Sequence, residues 1–281
     1  MNYTTGLERE GSPIAKPFLK WAGGKRWFVS QNLSIFPQNF NKYIEPFLGS
    51  GAIFFALQPK NAILSDINKD LIDTYKAIKT DWIKVYELLK FHHKNHNRDY
   101  YYKVRSSKPR TLFSRAARLI YLNRTCWNGL YRVNRRGEFN VPIGTKTDVL
   151  LGTDNFSEIS RLLQNAQLMR DDFEVVIDRA EEGDLIFVDP PYTVKHSDNG
   201  FIKYNEELFH WEDQVRLSES LARAKDRRVN IIVTNACHHS IKKLYRNRFD
   251  IATVYRHSII AAAPSNRKKC KELIITGPEF K

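Results

Sequence analysis

Four consecutive apolar residues, Leu185-Ile186-Phe187-Val188, stand between the polar run Glu181-Glu182-Gly183-Asp184 and the tripeptide Asp189-Pro190-Pro191. A run this short, apolar at every position and not at alternate ones, fits a strand covered on both faces. That is the situation of a parallel sheet with helices above and below it, so the chain is expected to be α/β. Asp189 then lies at the carboxyl end of a strand, the edge along which open α/β sheets collect their ligands. The two prolines after it carry no backbone N–H, which leaves the Asp189 carboxylate and the Pro190 carbonyl as bare acceptors beside the aromatic face of Tyr192. Such a set matches a planar ring bearing an amino group. The amine donates one hydrogen to each acceptor while Tyr192 stacks on the ring. The same four residues would serve equally well as a turn after a strand, and the rest of the chain has to decide between the two.

The remaining segments supply a sheet. Tyr43-Ile44 reads as a strand leading into Glu45-Pro46-Phe47-Leu48-Gly49-Ser50-Gly51, and Ala52 to Gln58 as a short helix. Strand, Gly49-x-Gly51 turn and helix form the nucleotide-binding opening of a Rossmann-like sheet. The strand Ala62 to Ser65 ends on Asp66, placed either to grip ribose hydroxyls or to cap the helix marked by Leu71, Tyr75 and Ile78. Phe156, Ile159, Leu162 and Leu163 mark a helix, as do Leu217, Leu221 and Ala224. Strands at 229–233, 249–254 and 273–275 close the sheet. Gly23-Gly24-Lys25 is not a nucleotide-triphosphate loop, because Leu19 stands where the first glycine belongs and Arg26 follows the lysine. The glycine pair still lets backbone approach a ligand closely.

Charge locates the partner. The 281 residues carry a net charge of +14, and residues 98–146 alone hold twelve Lys/Arg against Asp99 and Glu138. Interleaved with them are Tyr100, Tyr101, Tyr102, Phe113, Tyr121, Trp127 and Tyr131, a mixture suited to phosphates and stacked bases. Helical patterns at Trp82, Val85, Tyr86 and Leu89 and at Leu112, Ala116, Leu119 and Ile120 bring no strands with them. We read residues 81–146 as a helical insertion, ending in a hairpin over about 127–144 that projects like an element able to enter a DNA groove. It divides a catalytic domain made of 13–80 and 147–281. Residues 1–12 are expected to be a disordered tail, and 261–271, rich in basic and small residues, a mobile loop. There is no apolar stretch near the roughly 20 residues of a membrane span and no apolar leader. The spacing of Cys126, Cys237 and Cys270 fits neither a disulfide framework nor zinc, so a reduced, cytoplasmic protein is expected. His92-His93 and His238-His239 lack metal-ligand spacing, and no metal is expected.

Leu19-Lys20-Trp21-Ala22-Gly23-Gly24-Lys25, the Glu45 to Gly51 turn, Asp66-Ile67-Asn68, Asn128-Gly129-Leu130 through Gly137-Glu138-Phe139-Asn140-Val141-Pro142 and Asp189-Pro190-Pro191-Tyr192 follow one another in this order. In this the chain resembles the Dam-type DNA adenine-N6 methyltransferases over about residues 17–277. The resemblance implies a Rossmann-like methyltransferase sheet, mostly parallel with one antiparallel strand, and an inserted helical DNA-recognition domain. It implies S-adenosylmethionine as cofactor, held by Trp21, Lys25, Phe47, Gly49, Gly51 and Asp66, with Asp172-Phe173 at its adenine and Asp189 at the methyl end. Phe173 could equally be core. Asp189, Pro190 and Tyr192 would take a flipped adenine, with Asp189 or water receiving its proton. Lys20, Trp127, Asn128, Leu130, Arg132, Asn134 and Pro142 would face double-stranded DNA and read a GATC-like site. Trp127 replaces the tyrosine usual before Asn-Gly-Leu, and Thr145-Lys146 replaces a common Arg-Tyr, which leaves the outer base pair open. The family further implies a monomer on DNA in a bacterial or phage setting, at the nucleoid when bound, with a companion restriction endonuclease as a possible partner. Two rivals are methylation of another planar amine, such as adenine in RNA, and a DNA-binding regulator without turnover. The intact Asp189 and Tyr192 count against the second.

Overall fold

Strand β1 (Tyr43–Glu45) is followed in sequence by β2 (Ala62–Ser65), β3 (Ala166–Met169), β4 (Leu185–Val188), β5 (Asn230–Ala236), β6 (Asp250–His257) and β7 (Lys269–Gly277), all in one sheet of order β3-β2-β1-β4-β5-β7-β6. The computed structural model describes residues 15–134, 136–194, 209–257 and 269–278. The expected tail at 1–12 and most of the expected loop at 261–271 lie outside the described residues. The described helices are α1 (Arg26–Asn32), α2 (Ala52–Leu57), α3 (Lys69–Asn95), α4 (Arg98–Ser106), α5 (Leu112–Thr125), α6 (Phe156–Gln164), α7 (Phe173–Ile177), α8 (Trp211–Asp226) and α9 (His239–Tyr245).

β4 is the centre that its apolar run foretells. It pairs in parallel with β1 on one side and β5 on the other, and all four of its residues are buried. Successive side chains of a strand point to opposite faces. Leu185 and Phe187 therefore join one core with Tyr43, Leu64 and residues of α2, α3, α5 and α6, while Ile186 and Val188 join the other with Ile44, Ile231, α7 and α8. Only β7 runs against the rest, antiparallel to both β5 and β6. The sheet is thus Rossmann-like and doubly wound with one reversed strand, as expected. The reversal has a consequence at the binding edge, because it sets Glu272, near the start of β7, opposite Ala236 at the end of β5.

Several elements escaped the sequence pattern. α3 is not one of them: the two helices read from Leu71 to Ile78 and from Trp82 to Leu89 are both present, joined across a bend at Asp81 (φ −158°, ψ 85°), whose carboxylate accepts the Lys84 N–H at 3.1 Å and so caps the second. Asp66 does not cap α3. Asn68 does, accepting from Leu71 N at 3.1 Å. α4 was hidden by its charge, since Arg98–Ser106 buries only Tyr101 and Val104. β3 is a four-residue edge strand with only Ala166 and Met169 buried.

The basic helices do not float free of the sheet. Tyr101, Ala116, Ile120 and Tyr121 belong to the same apolar cluster as Tyr43 and Phe187, with α5 lying along α3. After α5 the chain returns on itself. Cys126 bridges Ile143 and Val133 bridges Phe139, with Trp127 N donating to Pro142 O at 2.9 Å and Asn140 N to Arg132 O at 3.2 Å.

Candidate active site

Parallel strands end together, so β1, β2, β4 and β5 bring Glu45, Asp66, Asp189 and Ala236 to one edge. The glycine turn after β1 is pinned at both ends. Leu48 N donates to Ser65 O at 2.8 Å and the Tyr75 hydroxyl to Gly49 O at 3.1 Å. Gly49 (φ +49°) and Gly51 (φ +65°) sit in left-handed conformations, and a β-carbon at Gly49 would come within 3.0 Å of Trp21 Cδ1. Asp66 reaches across from β2 and accepts from Gly49 N at 3.1 Å and Asn68 N at 2.9 Å. Burial raises its pKa and these two bonds hold it down.

Asp189 belongs to a buried charged cluster. Its Oδ1 faces the Lys25 ammonium at 2.7 Å and accepts from the Thr234 hydroxyl on β5 at 2.8 Å. Its Oδ2 lies 4.0 Å from where a β-carbon on Gly23 would sit. Lys25, 4% exposed, also donates to Gly23 O at 2.9 Å, lies 5.1 Å above the Tyr192 ring and is 3.9 Å from Glu272. The Tyr192 hydroxyl donates to Glu272 at 2.9 Å. Desolvation pushes the Asp189 carboxyl above its ordinary range, while Lys25 and Thr234 pull it back and Glu272 pushes it further up. The tetrapeptide itself is held from α8, where the buried Gln214 donates to Pro191 O at 3.3 Å.

Next to this edge three rings pack together. Phe47 stacks on Phe173 at 5.5 Å and both touch Phe209. Phe173 is buried, and the Arg216 guanidinium covers it at 4.4 Å while gripping Asp172 through both nitrogens at 2.9 and 3.0 Å. Asp172 also caps α7. The residues named for DNA gather on another face. Asn123, 1% exposed, takes the Lys20 N–H at 2.9 Å, returns a hydrogen to Lys20 O at 2.7 Å and bonds Gly129 O at 3.2 Å. Lys20 and Lys146 stand close enough to lower the pKa of Lys20, after the larger effect of burial. Trp127 is 54% exposed, Asn128 adopts φ +55°, Pro142 is exposed and Leu130 half-buried. Arg132 is exposed and donates to Asn140 at 2.9 Å. The Asn134 carboxamide closes the hairpin turn, accepting from the N–H groups of Arg136 and Glu138. Beside the hairpin, α4 and α5 wall a cavity of about 500 Å³ with Arg105, Lys108, Arg115, Arg118 and Arg136 on its lining.

Residues 21–258 match the family model of the D12 class N6 adenine-specific DNA methyltransferases. The chain belongs to this class. The type II methyltransferase M1.LlaDCHI of Lactococcus lactis subsp. cremoris is 34% identical over 270 residues, covering 93% of this chain and 95% of its own. M.MjaIII of Methanocaldococcus jannaschii, also named a type II methyltransferase, is 35% identical over 276 residues, 90% of this chain and 95% of its own. The DNA adenine methylase of Haemophilus influenzae is 33% identical over 270 residues, 92% of each chain.

The methyltransferase transfers a methyl group from S-adenosylmethionine to the N6 amino group of adenine in DNA, the activity of its class. Its residues fit that cofactor. A cradle that admits no side chain at Gly49 or Gly51, with an acid fixed at the end of β2, has the shape and polarity for a ribose and an amino-acid moiety. Among the described residues no helix is long and apolar enough to cross a membrane. Sequence reasoning missed Thr234, Glu272, Asn123, Gln214 and Arg216. Of these only Glu272 left a signal, an acid immediately before the apolar run Leu273-Ile274-Ile275 of β7.

Proposed function

We propose that this methyltransferase acts on the adenine of a GATC-like duplex site, with Asp189, Pro190 and Tyr192 receiving the extruded base. Extrusion costs a few kcal/mol of unstacking, and stacking on Tyr192 returns roughly 1–3 kcal/mol of it. The observation that carries this reading is the division of labour within the Asp189 carboxylate. Lys25 and Thr234 occupy Oδ1 and fix the plane of the group, and Oδ2 lies on the side of Gly23, 4.0 Å from where a β-carbon there would sit. Oδ2 then accepts one N6 hydrogen and the Pro190 carbonyl the other, which draws the amine towards a pyramidal nitrogen with an available lone pair. S-adenosylmethionine, when bound, supplies the electrophilic methyl group. The chain contributes alignment and field: Asp189 steadies the positive charge growing on nitrogen, and Lys25 offsets part of the rise that burial imposes on the Asp189 pKa.

In the same reading Trp21, Lys25, Phe47, Gly49, Gly51 and Asp66 hold the cofactor, with Asp172 and Phe173 bordering its adenine. Lys20, Trp127, Asn128, Leu130, Arg132 and Pro142 face the duplex, and Asn134 holds the turn that presents them. Arg132 supplies a guanine contact worth roughly 1–3 kcal/mol of discrimination. Residues 81–146 form the recognition portion and 13–80 with 147–281 the catalytic portion. The enzyme works as a monomer in the cytoplasm, either beside a companion restriction endonuclease or alone as a regulator.

Initial rates of labelled-methyl transfer test this reading, on GATC duplexes, on duplexes with each base pair changed, and on RNA. Transfer to the GATC adenine that disappears in Asp189→Ala is the expected result. Transfer confined to another duplex would overturn the GATC assignment and keep the chemistry. Preference for RNA would overturn the choice of DNA site.

A further inference from the structure

Tyr131 is one residue from Arg132 on the recognition hairpin, yet most of its contacts lie in the cofactor loops. Its ring stacks on Trp21 at 5.1 Å, with 25° between the planes. Trp21 in turn lies against Gly49, which leaves no room for a β-carbon there. The Tyr131 hydroxyl donates to Asp70 at 3.2 Å, in the first turn of α3, immediately beyond the Asp66-Ile67-Asn68 loop. On its own hairpin the ring packs against Phe139 at 5.9 Å. One half-buried side chain thus touches Trp21, which covers the glycine turn, the first turn of α3 just after the Asp66 loop, and the opposite strand of the hairpin. A second strut runs parallel to it, where the Asn123 carboxamide ties the backbone of Lys20, next to Trp21, to Gly129 O at the base of the hairpin.

We propose that Tyr131 is a positioning residue that couples cofactor binding to recognition of the DNA site, by fixing the hairpin to the Trp21 and Asp70 loops. The inference rests on the assignment of those loops to S-adenosylmethionine and of the hairpin to the duplex. Its physical basis is geometric. A hairpin seated in a groove settles Tyr131, Tyr131 settles Trp21, and Trp21 closes on the glycine turn. A cofactor in that turn settles the same contacts from the other side. Each ligand then meets a partner site already ordered by the first, and by linkage the two affinities rise by the same factor. A purely packing role for Tyr131 would weaken each affinity alone and leave that factor unchanged.

The test uses the full chain, S-adenosylhomocysteine as an unreactive probe, and the duplex that the wild-type enzyme methylates best. Calorimetric titration gives the dissociation constant of the probe with and without saturating duplex, and the ratio of the two is the coupling factor. The wild type is expected to bind the probe about 10-fold tighter on DNA, within the usual range of such couplings. Tyr131→Leu, which removes the stack and the hydroxyl, should lower the factor to below about 2, the remainder being carried by the Asn123 strut. Tyr131→Phe keeps the stack, holds the fold and should retain a factor of about 3. A wild-type factor of 1, or the full factor kept in Tyr131→Leu, overturns the proposal. Failure of the wild type to methylate any duplex or bind the probe would instead sink the functional reading beneath it, so the two failures are told apart.

Discussion

At the carboxyl edge of the sheet, the buried Lys25 and Glu272 and the half-buried Asp189 and Tyr192 are bonded to one another, whereas Arg132, Arg136 and Lys146 on the hairpin side stand in solvent. The first group has surrendered its water and depends on its own partners, so its geometry is set before any ligand arrives. The second keeps its water and, in the function proposed above, would gain its energy only on meeting phosphates and bases, through released counterions and new hydrogen bonds. One region is preorganised for chemistry and the other is left adaptable for a duplex. The two regions should therefore answer mutation on different scales.

The largest effect is expected for Asp189→Ala, which removes the acceptor for the adenine amine. Methyl transfer should fall by roughly 10³-fold or more, with duplex binding retained in a gel-shift assay. A loss under about tenfold would break the contrast at once, since removal of an essential positioned group costs far more. Next in size is a test of burial alone. Arg124 and Asp154, 5% and 8% exposed, are joined at 2.6 Å, and Arg124 also holds Val149 O and Phe18 O. Asp154→Ala leaves a buried unpaired cation and should cost about 3–5 kcal/mol in denaturant unfolding. Glu182→Ala, which breaks the exposed pair with Arg228, should cost less than about 1 kcal/mol.

Arg132→Ala comes third. It should relax selectivity at one base pair by about 1–3 kcal/mol, read as the ratio of kcat/KM for matched and changed duplexes. A uniform loss on all duplexes would make Arg132 a phosphate contact. Fourth is the acid limb of the kcat profile. Transfer needs ionised Asp189, whose pKa burial raises above the ordinary 3.8, so the rate falls on acidification at a higher pH than for an exposed aspartate. Glu272→Gln removes a negative neighbour and should move this limb to lower pH, while Thr234→Val removes a bond to the carboxylate and should move it higher. Each shift should stay under about one pH unit, the scale of one hydrogen bond. Both limbs moving the same way would show that another group governs the profile. Smallest is Lys146→Met, expected to reduce the slope of log binding constant against log salt by about 1 with little change in base preference.

The two regions also differed in how far the sequence revealed them. β4 announced itself because all four of its residues are apolar, and Asp189 with it. The glycine turn and Asp66 followed from spacing along the chain, as did the hairpin from Asn128-Gly129 and Gly137. α4 was obscured because a surface helix built of charges and tyrosines shows little apolar period. The partners of Asp189 were obscured for a different reason. Thr234 and Glu272 are 45 and 83 positions further along the chain, on β5 and β7, and no local pattern links them to the tetrapeptide.

By itself the sequence determined what periodicity, composition and short motifs carry: a doubly wound α/β sheet, a site at the end of β4, a glycine cradle, and a basic segment set apart from it. Those properties are local, since strand, turn and charge density are written in neighbouring residues. The tertiary structure alone decided which groups meet. It reversed β7 so that Glu272 reached the binding edge, turned the Lys25 ammonium onto Asp189, and set Tyr131 between Trp21 and Asp70. Such contacts follow from how separate elements pack, and packing is settled by the burial of both faces of the sheet at once.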